Sequence, residues 1–188
     1  AGRFDAQPTA ILGLLGGFLT PYMLRTEQNP FWILFPYLAL LDFSVVVLAA
    51  WRRWRSLQSC AFAATLLAWM GWFGSQYTPD QLGSTLAMLS LLFALFAGLG
   101  GLHALLWGRP LYPEDLALVF LSPLAYFAAV YALTFDDYRH WQGLMAVGMS
   151  AVYFAAARSA RWRSASPLLT ASLLAISICF IVLAVPLY

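Results

Sequence analysis

Long apolar runs alternate with short polar breaks along the whole chain. Seven runs reach the roughly 17 to 25 residues that a helix needs to cross a hydrocarbon core. They lie at 8–24, 30–51, 57–77, 83–107, 116–135, 141–157 and 167–187. Each is long and non-alternating, which favours helices over strands. In lipid every backbone polar group must be paired within its own segment or within a closed barrel. The expected fold is therefore all-α: a single polytopic transmembrane helix bundle of about seven spans over residues 1–188. The breaks are short, about 5 to 9 residues, so neighbouring helices are expected to pack antiparallel.

Local chemistry supports the helix starts. Asn29-Pro30 and Ser166-Pro167 each put a capping side chain before a proline at the first helical position. Glu114 and Asp115 follow Pro113, where negative charge suits a helix N-terminus.

The polar breaks also set an orientation. Numbered alternately, one side receives Arg3, Arg52, Arg53, Arg55, Arg109, Arg158, Arg161 and Arg163, and the other only Arg25 and Arg139. Basic residues gather on the cytoplasmic side. The N-terminus is thus expected to be cytoplasmic and Tyr188 non-cytoplasmic. Trp51, Trp54, Trp72, Tyr77, Trp107, Tyr112, Tyr138 and Trp141 fall near run ends, as interfacial anchors do.

Composition agrees. Charged residues make up 10% of the chain, against about 25% in soluble domains. All the basic residues are arginines, spread over separate breaks, and the net charge is only +2. That charge is too small and too scattered to suggest a nucleic-acid partner, and none is expected. Cys60 and Cys179 lie inside apolar runs without ligand-type spacing and are expected to be buried as small hydrophobes. The opening AGRFDAQPTA has no signal-peptide pattern and no initiator methionine. A processed product or a piece of a longer protein is the expectation.

Asp42 is the leading site candidate. It lies near the centre of the second run, where a carboxylate costs about 2.5 to 3.5 kcal/mol to insert. Two readings are open: a proton, cation or polar-substrate site, or a packing hydrogen bond to Ser or Thr on a neighbouring helix. His103, near the end of the fourth run, is the second substrate- or ion-binding candidate, against a side chain that simply reaches headgroups. Asp136, Asp137 and His140 share a break with no metal spacing, so no metal is expected.

In the first run Gly13 and Gly17 form a small-xxx-small face, with Gly16 beside them. Pro21 is expected to kink that helix or end it early. Arg52, Arg53, Arg55, Arg158, Arg161 and Arg163 either set topology or contact anionic lipid. No nucleophile elbow, P-loop, His-Glu-x-x-His or dinucleotide motif occurs, and no cofactor is expected.

The runs GGFLTP at 16–21, YLALLDFSVV at 37–46 and RRWRSL at 52–57 resemble the bacterial multi-span membrane family "domain of unknown function 2339". The tail AVPLY at 184–188 is similar to the point where an Ala-Ile-Pro-Leu-type run closes a span in that family. The likeness is strong over 8–57 and looser afterwards. It implies a bacterial inner membrane and, because members are usually longer, an internal portion flanked by further spans. It also implies that Asn is accepted at the position of Asp42, which argues against an obligatory proton carrier. It supplies no activity.

Three functions are compatible with these features. The first is part of a transport or translocation pathway for a small polar or lipid-linked substrate, with Asp42 facing the interior. The second is a structural or assembly subunit packed against lipid and other membrane subunits. The third is an enzyme on a lipid-linked envelope substrate. A wet cavity at Asp42 favours the first, a dry packed interior the second, and a headgroup-sized cleft at Asp136, Asp137 and His140 the third.

Overall fold

The computed structural model describes residues 7–23, 31–52, 55–107, 113–135, 139–162 and 166–187. All regular structure among them is helical. Seven α-helices follow in order: α1 (Gln7–Met23), α2 (Phe31–Arg52), α3 (Arg55–Gln76), α4 (Leu82–Trp107), α5 (Pro113–Thr134), α6 (Arg139–Trp162) and α7 (Pro167–Ala184). Single 3-10 turns at Pro79–Gln81 and Val185–Leu187 lead into α4 and close α7. Among the described residues four stretches are long and apolar enough to cross a membrane: Phe31–Ala49, Pro79–Gly98, Asp115–Thr134 and Pro167–Ala184. A shorter apolar stretch, Thr9–Thr20, lies in α1.

The chain forms two compact units, Ala1–Leu95 and Phe96–Tyr188, with the division inside α4. In the first unit α2 packs on α3, and α1 packs on both. The seam of α2 consists of Phe31, Phe35, Leu38, Asp42, Val45 and Ala49, all buried and three or four positions apart. Such spacing places them on one helix face. The facing residues of α3 are Leu57, Ala61, Thr65, Ala68 and Trp72, also buried. Phe31 and Phe35 close around Trp72, with ring centroids 5.5 and 5.0 Å from it. Edge-on and tilted contacts at such distances add stabilisation beyond area burial. Trp72, expected as an interfacial anchor, is therefore part of the core: it lies on the face of α3 that meets α2.

In the second unit α6 and α7 form the main pair, and α5 packs on both. The α6 seam is Gly143, Ala146, Ser150, Tyr153, Ala157 and Ala160, again alternating three and four positions apart. Against it α7 sets Leu169, Leu173, Ile176, Ser177 and Phe180. Phe180 is fully buried between Phe127 of α5 and Tyr153 of α6, at centroid distances of 5.5 and 6.3 Å.

The Ser166-Pro167 start forms as expected, with Ser166 Oγ accepting from the Leu169 backbone N–H at 3.3 Å. Glu114 and Asp115 sit in the first turn of α5. Asn29-Pro30 lies outside the described residues. Elsewhere three expectations need correction. The sixth run was expected to end at 157, yet α6 continues to Trp162; the residues from Arg158 to Trp162 include no glycine or proline to stop it. Of the two outcomes expected at Pro21, a kink or an early end, the early end does not occur, because α1 runs on to Met23. Cys60 and Cys179 are exposed rather than buried. On a helix that faces lipid, the outside is as apolar as the inside, so an apolar run does not say which way its cysteine points.

Candidate functional site

Asp42 belongs to the α2 seam by register alone: it is seven residues from Phe35, two helical turns along the same face. The helix therefore carries it into the α2–α3 interface, where it is 0% exposed. Thr65 projects from the facing seam of α3. Its hydroxyl lies 2.9 Å from Oδ1 and 2.8 Å from Oδ2 of Asp42. The two carboxyl oxygens thus straddle one Oγ1, which donates its single proton to them. This satisfies a costly polar group in an apolar setting. It also fixes the register of α2 against α3, because a shift of one residue would separate the pair. Chemically, the arrangement is a carboxyl–hydroxyl tie between two helices.

Gly17, Pro21 and Tyr37 form a second polar tie in the same unit. Proline has no N–H to donate to the carbonyl four residues back. The carbonyl so released by Pro21 is that of Gly17, and the Tyr37 hydroxyl of α2 donates to it at 2.9 Å. A Cβ at Gly17 would stand 2.8 Å from Leu41 Cδ1, the movable end of an α2 side chain that would have to shift to make room. A Cβ at Gly13 or Gly16 would meet nothing within 4 Å. The Gly16 carbonyl accepts from Thr20 Oγ1 within its own helix, at 2.8 Å.

Ser150 and Ser177 tie α6 to α7. Ser150 Oγ donates to the Ser177 carbonyl at 2.8 Å, Ser177 Oγ donates to the Ser150 carbonyl at 3.0 Å, and the hydroxyls are 3.0 Å apart. A serine arm reaches another helix's backbone only where the two chains run close together, as small residues allow.

His103 belongs to α4 and Arg52 and Arg55 to the ends of α2 and α3, but their side chains lie outside the described set, as do Arg53 and Arg163 entirely. Asp136 and Asp137 and the side chain of His140 lie outside it too. Arg158 and Arg161 are exposed on the last turns of α6. Among the described residues no three of His, Cys, Asp and Glu come together as a metal set.

Sequence reasoning singled out Asp42 but not its partner Thr65, nor Tyr37, nor the Ser150–Ser177 pair. The available signal was seam spacing. Asp42 repeats the register of Phe31, Phe35 and Leu38, and Ser150 repeats that of Gly143, Ala146 and Ala157. A polar residue in such a register faces another helix and needs a donor or acceptor there.

A family model described as "Predicted membrane protein (DUF2339)" matches residues 1–188. No curated protein and no solved structure matches the chain.

Proposed function

The chain belongs to the DUF2339 family of predicted membrane proteins, and from that premise we propose that it is a helix-packing and assembly portion of a bacterial inner-membrane protein. In this reading all seven helices cross the bilayer. The N-terminus and the arginine-rich ends of α2, α3 and α6 are cytoplasmic, and Tyr188 is on the other side. Its partners are membrane lipids and other membrane subunits, or further spans of a longer chain.

The observation that carries this reading is the state of Asp42. A mid-helix acid that served as a station for ions would need a route to water. Asp42 is instead enclosed between two helices, with both oxygens on the Thr65 hydroxyl. The wide spread of large apolar side chains on the outside, such as Leu40, Leu67, Ile178 and Ile181, supports a lipid setting for the whole.

Transport is the second reading. It is favoured by the same residue, since an ionisable group inside a spanning helix marks a pathway in many pumps and carriers. The two readings part at Asp42→Asn, which keeps an acceptor for Thr65 but cannot carry a proton. The packing reading expects reconstituted vesicles to show no pH-dependent flux that this change alters. Flux that disappears in a variant with full helical content would establish transport instead. For the threading, cysteine placed at 161 in a chain lacking Cys60 and Cys179 is expected to resist impermeant reagent in intact cells. Labelling there would reverse the orientation.

A further inference from the structure

The outward face of α6 is built in two parts. Leu144, Val147, Ala151 and Phe154 form an exposed apolar stripe, each one position after a residue of the small-residue seam that meets α7 and so about 100° around the helix from it. On the same side the helix ends in Arg158, Arg161 and Trp162, all exposed. Arg158 and Trp162 are one helical turn apart, and the Arg158 guanidinium lies over the indole, 4.8 Å from the ring centroid. That cation–π contact holds the guanidinium against the indole. Its N–H edges stay free to donate, and Arg161 adds a second guanidinium three positions along. Arginine forks match phosphate oxygens well.

The dimensions fit a lipid. From Leu144 to Arg158 the helix rises about 21 Å. One leaflet's hydrocarbon layer is about 15 Å deep. An acyl chain can therefore lie along the stripe while its phosphate sits at the arginines. No described residue of α6 from Leu144 to Trp162 is acidic, so the charge that α6 itself contributes at this end is positive and complements an anionic headgroup.

We propose that the outward face of α6 is a binding site for an anionic phospholipid, with Arg158 and Arg161 holding the headgroup phosphate, Trp162 orienting Arg158, and Leu144, Val147 and Phe154 taking an acyl chain. The site rests on the reading that α6 lies in the membrane, and nothing in it depends on Asp42.

The test is fluorescence quenching of Trp162 in vesicles. Its emission is taken as the difference between the parent protein and Trp162→Phe. The probes are phosphatidylglycerol and phosphatidylcholine brominated near the glycerol end of the acyl chain, each at the same mole fraction. The expected result is a preference of about fivefold or more for phosphatidylglycerol, the size that one or two interfacial arginines supply. Arg158→Gln with Arg161→Gln is expected to bring the preference to within about twofold at unchanged helical content, and Arg158→Gln alone to an intermediate value. Equal quenching by the two lipids in the parent protein would overturn the site while leaving α6 in the membrane. Quenching by neither would overturn both. Displacement of the brominated phosphatidylglycerol by millimolar inorganic phosphate would make this a free-anion site and also overturn the proposal.

Discussion

In the α2–α3 pair the polar contact midway along the helices runs from side chain to side chain, Asp42 to Thr65. In the α6–α7 pair it runs from side chain to main chain, Ser150 to Ser177 and back. The difference is one of separation. Large aromatics at Phe31, Phe35 and Trp72 set the first pair's spacing, and a carboxyl arm spans the gap at Asp42. Alanine and glycine line the second pair's seam on the α6 side, and serine hydroxyls there reach the opposite backbone. The first interface is therefore held by matched side chains and tolerates change only when both partners change. The second is held by closeness and tolerates loss of a hydroxyl far better than gain of bulk.

This contrast has measurable consequences. The largest is expected from added volume in the close seam. Ser150→Leu would both remove the serine tie and force α6 from α7, with a loss of about 3 kcal/mol, at the upper end of overpacking costs. Unfolding in mild detergent would read it. A loss below that of Ser150→Ala would mean that the helices are not closely apposed.

Next comes Thr65→Val, which leaves the Asp42 carboxyl enclosed without its donor. The expected loss is about 1 to 3 kcal/mol, the range for a stranded buried polar group. Asp42→Leu together with Thr65→Val removes both polar ends, and most of that stability is expected to return. If the double variant is no better than Thr65→Val, the pair is not a self-contained tie.

Tyr37→Phe takes away the donor to the Gly17 carbonyl and is expected to cost about 1 kcal/mol. Introducing Pro21→Ala restores a backbone N–H four residues along, so the same tyrosine change should then cost less. Equal costs in the two backgrounds would detach Tyr37 from the proline. The smallest effect is expected from Ser150→Ala, about 0.6 kcal/mol, the usual worth of a hydrogen bond between membrane helices.

The class of fold and the helix positions were legible because long, non-alternating apolar runs favour helices over strands. Boundaries followed at Ser166-Pro167, although prolines also lie within helices at Pro21, Pro36 and Pro123. They failed at 158–162, where arginine looked like a loop but is also a good helix former. Which way a residue faces was less legible. Burial cannot be inferred from apolarity when the surroundings are apolar too, which is why Cys60 and Cys179 were expected inside and Trp72 outside. Seam periodicity carries that information instead, and it places Asp42 and Ser150 at interfaces. The partners, Thr65, Tyr37 and Ser177, depend on how two helices register with each other, and a single run of sequence does not encode that.

Asp42 and Thr65 stand or fall together as one structural unit between α2 and α3. A double-mutant cycle with Asp42→Leu and Thr65→Val, each of which removes one end of the hydrogen bond, read by reversible unfolding in lipid, measures their coupling directly. Coupling of about 0.6 kcal/mol or more is expected. Zero coupling, with the two changes simply additive, would contradict the tie and return Asp42 to the status of an unexplained acid inside an apolar helix.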